Sequence, residues 1–536
     1  MKTWLASRNA MVAAVVLSLA LASLSLVPAL GGRFVTDDQG FRAVTHSTSE
    51  HAPPAWDLFR FQRGDELANA YMIRTGHLAW WAAPDLRIHF ARPLTSLLFV
   101  ADDAVFGDAA VGYHLHSLLW FALMLVGAAV FFGRVLDPAA AVLALLIFGI
   151  AGAHTDAFAW ISARHALIGG AGVAWALAIG SRGGRWHLVA LLPLVVGLLG
   201  SESALGGVPL LAALAWSKHE RRFAIPAVVV GVVYLAVYVV LGFGTRASGG
   251  YHDPLTDPVG YLAVAITRLP ILLGDATLSV PSELAFVVSP VVLALIGLVG
   301  IGVVVWAWRG PRDRTLVWLV AGGVVALLPG LAGVPAGRVL VVPDLAFAAV
   351  LGSVLATRWR APMIILALTH FVIAPLAEVA AMHRLAKKGA VTERVAADIQ
   401  RLVPAGSRAI LVEASDPYVF LYARGVLAET APGAVSCWSV LSAAPSRHDI
   451  KRLDNHTLSI ETVDRPMLSG FDALFRDPAS RPMHVGDTMS QCGGDIRVEA
   501  VNDGRPTKIT VTYKRRLDDP TLTFLVAHGT HVELLD

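Results

Sequence analysis

Charged residues are scarce in this chain of 536 residues, since Asp, Glu, Lys and Arg together make up only 15% of it. A soluble domain carries nearer a quarter, so the composition excludes an ordinary soluble protein. The formal net charge is +3 and the basic residues are spread over short segments. This excludes the concentrated basic face of a nucleic-acid-binding protein. The sequence also lacks internal repeats, heptad runs and a dinucleotide-binding glycine fingerprint.

Cysteine is nearly absent as well. The two cysteines, Cys437 and Cys492, both lie in the polar C-terminal part of the chain. In an oxidising compartment they can form one structural disulfide bond. The alternative is a pair of unpaired, buried thiols, and spacing alone does not decide between the two.

Hydrophobic residues, in contrast, make up 55% of the chain. Apolar runs of membrane-spanning length recur through residues 1–383 and predict a polytopic α-helical membrane body. The first run is long for a signal peptide and no small-x-small cleavage site follows it, which favours an anchor over a cleaved signal. We expect about eleven transmembrane helices, near residues 10–30, 111–133, 138–153, 162–180, 187–201, 203–217, 222–243, 284–308, 315–333, 338–356 and 361–381.

Basic residues concentrate in alternate connections between these runs, for example 182–185, 218–222 and 358–360. Under the positive-inside rule those connections face the cytoplasm. Two long loops, at about 31–110 and 244–283, then lie outside it, as does everything after the last span. We therefore expect an integral protein of the plasma or inner membrane.

The first long loop is rich in aromatic residues, and we expect short helices that lie along the membrane interface. These residues are Trp56, Phe59, Phe61, Tyr71, Trp80 and Trp81.

Residues 384–536 are polar and contain strand-like segments. Segments 408–412, 508–513 and 521–526 alternate or cluster apolar and β-branched residues as strands do. About 150 residues are enough for one small domain with its own core. We expect an extracytoplasmic domain of α/β or mostly β structure.

Two adjacent carboxylates, Asp37 and Asp38, follow the first apolar run by a few residues. Ionisable side chains are costly in lipid, so a pair at the membrane surface indicates a functional site. On the predicted topology, five further connections bring polar side chains to the same face. These side chains are Arg92, His114, His116, His154, Asp156, Arg164, Glu202 and Arg338.

One interpretation of this pattern is that membrane loops are simply polar. However, Arg92, His114, His116 and Arg164 lie at helix ends or just inside apolar runs, where charge is expensive. We therefore favour a shared polar cleft at one face of the membrane.

The motifs also occur in a characteristic order: Asp37-Asp38, Arg92-Pro93-Leu94, Phe106-Gly107, Gly112-Tyr113-His114, His154-Thr155-Asp156 and Trp160-Ile161-Ser162-Ala163-Arg164. This order resembles the polytopic GT-C glycosyltransferases, and among them the protein O-mannosyltransferases that often carry tetratricopeptide repeats. The segment from Arg338 to Pro343 resembles that branch's Arg-x-Leu-Tyr-Leu-Pro element. No such repeats follow here, Asp156 and Ala163 stand where Glu and Gly are more common, and Val341 replaces the Tyr.

The resemblance implies a GT-C-like fold and a sugar donor linked to polyprenyl phosphate. It implies a glycosyltransferase that moves a hexose, taken to be mannose-like, to a hydroxyl of a protein or glycolipid acceptor. The transfer would be an inverting single displacement on the extracytoplasmic side.

In that reaction Asp37, or with less preference Asp38, would be the general base. Guanidinium groups match phosphate oxygens, so Arg92, Arg164 and Arg338 are candidates for binding the donor phosphate. The expected supporting residues are His114, His154, Asp156 and Glu202.

A divalent cation, Mg or Mn, is an open alternative, with Asp38 and Asp156 as its first candidate ligands. The competing functions are a polytopic transporter and a non-catalytic membrane scaffold. A transporter would place its site near the bilayer midplane between repeated halves, and no matching halves are visible in this sequence.

Overall fold

The computed structural model describes residues 8–27, 34–48, 52–307, 314–357, 361–529 and 531–535. Within these ranges, six helices are long and apolar enough to cross a membrane. A seventh span results if two helices that meet at a 42° bend count as one. The six are Asn9–Leu26, Ala110–Val135, Arg221–Val240, Pro258–Leu278, Pro290–Ala307 and Ala361–Leu402, and the bent pair is Pro138–Gly149 with Gly152–Ala159. The protein is thus an integral membrane protein.

The expected count of about eleven spans is not confirmed among these residues. The expectation that 244–283 is entirely a loop is also wrong, because the helix Pro258–Leu278 within it is long and apolar enough to cross a membrane. Three of the expected spans are shorter apolar helices, namely Trp186–Gly200, Thr315–Leu331 and Asp344–Leu355. Another, His165–Gly180, is buried on almost every side. Hydropathy does not separate a short helix buried among other helices from a short span. Residues 28–30 and 358–360, used for the first span and for orientation, lie outside the described residues.

The remaining α-helices of the described chain are shorter or bury more of their surface. They are Asp37–Thr45, Glu66–Arg74, Pro93–Phe106, His165–Gly180, Trp186–Val189, Leu191–Gly200, Gly207–Ser217, Arg314–Ala326, Leu328–Leu331, Asp344–Leu355 and Ala423–Thr430. The span Ala361–Leu402 consists of Ala361–Leu368 and Ala374–Leu402, joined by the π-helical turn Thr369–Ile373. The apolar core of the helix bundle contains fully buried aromatic rings such as Phe121, Phe131 and Phe148. These rings bury a large apolar area between the helices, and their packing fixes the helices that carry the polar residues.

The C-terminal sheet region (residues 408–534) contains two sheets. Five antiparallel strands are arranged in the order His448–Arg452, Thr457–Thr462, Arg505–Tyr513, Gly494–Asn502 and Thr488–Gln491. Four strands form a mixed sheet in the order His531–Leu534, Leu522–His528, Arg408–Glu413 and Cys437–Val440, with two parallel pairs. The three strands expected from sequence, at 408–412, 508–513 and 521–526, are confirmed. The structure joins Cys437 to Cys492 in a disulfide bond.

The first long loop packs into the C-terminal sheet region. Trp80 and Trp81 are buried in its core, and their indole N–H groups donate to the carbonyl oxygens of Leu441 (2.9 Å) and Asp472 (3.0 Å). The expectation that these two tryptophans lie at the membrane interface is wrong. An indole ring finds both apolar packing and a hydrogen-bond acceptor inside a protein core, so an aromatic-rich loop is not always interfacial.

Two further elements tie the long loops to the rest of the molecule. Strands Arg60–Arg63 and Arg87–His89 of the first loop pair with Gly244–Arg246 of the second in a three-stranded sheet. The long helix Ala374–Leu402 runs without a break from the apolar bundle to the C-terminal sheet region. The domain boundary expected at 383/384 falls inside this helix.

Candidate active site

The two adjacent aspartates begin a short helix, the aspartate helix (Asp37–Thr45). Negative charge in the first turn of a helix is favoured by the helix dipole. The preceding residue, Thr36, has φ of +52°, a left-handed conformation that β-branched residues rarely adopt. Strained backbone of this kind persists only where surrounding contacts hold it and is common at functional sites.

Asp38 is fully buried and fully hydrogen-bonded. Its carboxylate accepts the backbone N–H groups of Val35 (3.1 Å), Ile161 (3.3 Å) and Ser162 (2.8 Å), together with the Ser162 hydroxyl. Burial raises the pKa of Asp38 to about 6, against the lowering effect of these hydrogen bonds. This side chain therefore anchors the aspartate helix to the 161–164 turn.

Asp37 is half-buried, and its carboxylate makes no hydrogen bond to any residue that the structure describes. Burial and the neighbouring Asp38 raise the pKa of Asp37 to about 7, while Arg338 and Arg92 lower it. A carboxylate with free lone pairs and a pKa near neutrality has the properties of a general base.

Two of the three expected arginines lie within electrostatic range of Asp37. Arg92 donates from Nε to Glu202 (2.8 Å), and its guanidinium lies over the rings of Phe59 and Phe90. Pro93, which follows it, starts the next helix because proline suits the first helical position. The backbone thus places Arg92 at the N-terminal end of the helix Pro93–Phe106.

Arg338 forms a second ion pair of the same kind. It donates from Nη1 to Asp156 (2.9 Å), and its guanidinium lies over the ring of Trp160. Each arginine uses one nitrogen for its carboxylate, and we find no acceptor for the other nitrogens within the described ranges. The structure therefore brings Asp37, Arg92, Arg338, Asp156 and Glu202 together.

Arg164 is placed differently from the sequence expectation. It is 2% exposed and ion-paired with Asp102, and it donates to the Ser117 hydroxyl (2.8 Å) and the Tyr113 carbonyl oxygen (2.7 Å). Its hydrogen-bonding groups are committed inside the protein, so it fits a structural ion pair rather than a phosphate ligand. Asp102, its partner, was missed because its place inside an apolar helix, Pro93–Phe106, gave no sign of an ion pair.

The expected supporting histidines also bond inside the bundle. His114 hydrogen-bonds through Nδ1 to the Phe158 carbonyl oxygen (2.9 Å), and His154 through Nε2 to the Phe148 carbonyl oxygen (2.7 Å). Both are fully buried. Such contacts fix the helix backbone, and the structure does not bring these two imidazoles to Asp37.

Residues that the sequence analysis missed complete the surroundings of the two arginines. His165 lies within electrostatic range of Arg92 and Arg338 and hydrogen-bonds to the Ser201 hydroxyl (2.9 Å). It directly follows the Trp-Ile-Ser-x-Arg motif, which was the available signal. Glu283 accepts the backbone N–H of Gly337 (2.5 Å) and so holds the backbone next to Arg338.

The pKa of Glu283 is raised to about 8 by burial and by the nearby carboxylates of Asp156 and Asp275. Burial thus favours the protonated form of this carboxyl group, which reduces the repulsion between Glu283 and Asp156.

The side chains expected to bind Mg or Mn do not fit a divalent cation. The oxygens of Asp38 are occupied by N–H and O–H donors, and Asp156 is paired with Arg338. Over the described ranges, no group of three or more His, Cys, Asp or Glu side chains could hold a metal ion. Hard cations need several convergent oxygen ligands.

Comparison with known proteins gives limited information. No family model matches the chain, and no curated protein matches it. Among solved structures, it is similar to ArnT from Cupriavidus metallidurans, a crystal structure with bound undecaprenyl phosphate. That similarity has a TM-score of 0.39 and 14% sequence identity and covers 79% of this chain and 89% of that chain. A match this weak does not assign the chain to a family.

Proposed function

We propose that this protein is a GT-C-type membrane glycosyltransferase that transfers a sugar from polyprenyl phosphate to an acceptor hydroxyl. The observation that carries the proposal is Asp37, a carboxylate with a pKa of about 7 that makes no hydrogen bond to the described residues and lies within electrostatic range of Arg92 and Arg338. A base beside two phosphate-binding cations is the arrangement that such a transfer needs. The ordered sequence motifs support the same function independently of the geometry.

In the proposed reaction Asp37 takes the proton of the acceptor hydroxyl. The acceptor oxygen attacks the anomeric carbon as the bond from that carbon to the phosphate oxygen breaks. Polyprenyl phosphate leaves with the electron pair, and the configuration at the anomeric carbon inverts.

Negative charge grows on the leaving phosphate during this step. Arg92 and Arg338 would stabilise it with the N–H groups that their carboxylate partners leave open. Glu202 and Asp156 would orient the two guanidinium groups, which are pre-positioned by the rings beneath them. No step requires a metal ion.

The proposal places the cleft and the C-terminal sheet region outside the cytoplasm of a plasma or inner membrane, as the basic residues of the alternate connections indicate. A lipid-linked donor suits that location because its tail can stay in the bilayer. We propose a mannose-like hexose as the sugar and a protein or glycolipid as the acceptor.

The test is transfer of radiolabel from polyprenyl-phosphate mannose and polyprenyl-phosphate glucose in membranes that contain the full chain. We expect Asp37→Asn to reduce transfer by about 10²-fold or more, because the base is lost while the shape is kept. The matched control is Asp449→Asn, a carboxylate on the edge of the antiparallel sheet, which should transfer at the wild-type rate. Undiminished transfer by Asp37→Asn at equal protein level would contradict the mechanism.

A further inference from the structure

One segment of the C-terminal sheet region reaches the aspartate helix. It consists of the tyrosine turn (Tyr418–Tyr422), a single π-helical turn, and the contact helix (Ala423–Thr430) that follows it. Both elements touch the aspartate helix. A Cβ atom at Gly425 would lie 3.2 Å from the backbone nitrogen of Gly40, so the two helix backbones approach closely.

Polar contacts hold this junction in place. Glu429 of the contact helix lies 3.0 Å from His46 Nδ1 and 3.3 Å from an Arg42 nitrogen. Arg42 is buried and also donates to Asp103 (3.1 Å). A buried arginine shared by acids on both sides fixes orientation as well as proximity.

The tyrosine turn carries two phenol rings that lie within electrostatic range of Asp37. The Tyr422 side chain interacts electrostatically with Asp37, Tyr251 and Arg338, so it lies near both the base and one phosphate-binding arginine. The Tyr418 ring lies 5.4 Å from the Tyr422 ring, and its side chain interacts with Asp37 and Asp156. Burial raises the pKa of Tyr422 well above its usual value, so its hydroxyl stays a neutral hydrogen-bond donor.

The Tyr422 hydroxyl makes no hydrogen bond to any described residue of the chain. A half-buried phenol within electrostatic range of the proposed base, with no hydrogen-bond partner among the described residues, is available to a substrate. Tyr251, from the second long loop, extends the aromatic surface and packs on Phe90 with ring centroids 5.5 Å apart.

The secondary structure of the tyrosine turn and the contact helix indicates the kind of acceptor. Backbone groups in the tyrosine turn and contact helix bond within their own helices, so they offer no ladder of N–H and C=O groups to an extended peptide. Recognition must come from side chains. Aromatic faces with hydroxyl groups at their edges suit a sugar ring, which has an apolar C–H face and a rim of hydroxyls.

We propose that the C-terminal sheet region completes the active site, with Tyr422 as the residue that positions the acceptor hydroxyl at Asp37 and with a saccharide as the acceptor. This inference rests on the proposed function. Tyr418 and Tyr251 form the rest of the aromatic surface.

The test compares full-length Tyr422→Phe, Tyr422→Ala and Tyr418→Phe with wild type at matched protein levels, with radiolabelled polyprenyl-phosphate mannose as the donor and native membranes as the acceptor source. Loss of the hydroxyl in Tyr422→Phe should lower kcat about tenfold and leave the donor KM within about twofold of wild type. Tyr422→Ala, which also loses the ring, should be slower still. The matched control is Tyr513→Phe, a tyrosine buried in the antiparallel sheet, which should keep the wild-type kcat.

Product analysis decides the acceptor class. After unreacted polyprenyl-phosphate mannose has been destroyed by mild acid and the protein digested with a broad-specificity protease, label that stays in the glycolipid or glycan fraction supports a saccharide acceptor. Label released as small glycopeptides would overturn it and indicate a protein acceptor.

The kinetic outcomes are separable. Unchanged kcat in Tyr422→Phe, or a large increase in donor KM, would overturn the role of Tyr422 while leaving the proposed function standing. Wild-type membranes that transfer no label, with immunoblotted protein present, would overturn the proposed function and this inference together.

Discussion

At the residue scale, the adjacent side chains of Asp37 and Asp38 are chemically identical but differ in their hydrogen bonds. Asp38 accepts three backbone N–H groups and a hydroxyl, and Asp37 accepts none from the described part of the chain. A general base needs an oxygen that a substrate can reach. The geometry therefore favours Asp37 as the base and Asp38 as the anchor, an order of preference that the sequence supported only slightly.

The pKa of Asp37, about 7, leads to a prediction about pH. The base works only when deprotonated, so kcat/KM should rise about tenfold per pH unit below the pKa and level off above it. Arg92 lowers this pKa, so the residual activity of Arg92→Gln should have its acidic limb at higher pH than wild type. The measurement is transfer rate against pH at low donor concentration.

Asp449→Asn is again the control for this profile, because its side chain is exposed on an edge strand of the antiparallel sheet. Its acidic limb should coincide with that of wild type. A wild-type profile that is flat from about pH 5 to 8, or a limb that moves to lower pH in Arg92→Gln, would contradict the assignment of the base.

At the scale of elements, the contact between the aspartate helix and the contact helix depends on the absence of a side chain at one glycine. A Cβ at Gly425 would meet the backbone of Gly40 at 3.2–3.4 Å, whereas a Cβ at Gly40 would have nothing within 4 Å. The backbone of Gly40 lies at the junction, but a side chain at Gly40 would extend into open space, whereas a side chain at Gly425 would meet that backbone.

This asymmetry predicts opposite effects of two substitutions. Gly425→Val should separate the helices, move Tyr422 away from Asp37 and lower transfer about tenfold or more, since misplacement by about 1 Å can cost that much. Gly40→Ala should keep activity and stabilise the helix by about 0.5–1 kcal/mol, because alanine is the better helix former. Transfer assays and thermal denaturation of the purified variants measure both. Equal activity of the two variants would show that the junction does not position the site.

At the scale of the whole molecule, the sequence predicted a helical membrane body with a C-terminal sheet region, and it named charged residues that form ion pairs in the structure, whereas their roles stay predictions. Asp37, Arg92, Asp156, Glu202 and Arg338 were all named from helix ends that share one predicted face, and the structure brings them together. Periodicity also located the C-terminal strands. These features depend on local pattern, which a single sequence carries.

What could not be predicted depends on partners far apart in the chain. The Asp102–Arg164 ion pair, the packing of Trp80 and Trp81 in the C-terminal sheet region, and the placing of Tyr422 near Asp37 all join segments that no local pattern links. The number of spans was missed for a related reason: apolar helices buried by other helices have the same composition as helices buried in lipid.

The disulfide bond offers the last prediction, because it lies where three parts of the molecule meet. Cys437 begins a strand of the mixed sheet, and Cys492 lies in the turn between two antiparallel strands. Gly76 of the first loop packs against Trp438, the next residue of that strand, and against Cys492. A Cβ at Gly76 would be 2.1 Å from the Trp438 carbonyl oxygen and 2.9 Å from Cys492 Sγ. Replacing both cysteines by alanine should destabilise this region by about 2–4 kcal/mol, lowering the temperature at which transfer is lost while the apolar bundle stays folded. Thiol labelling of the denatured wild-type chain before and after reduction tests the disulfide bond, and labelling without reductant would contradict it. Thermal inactivation of the double variant tests the stabilisation, and an unchanged inactivation temperature would contradict that.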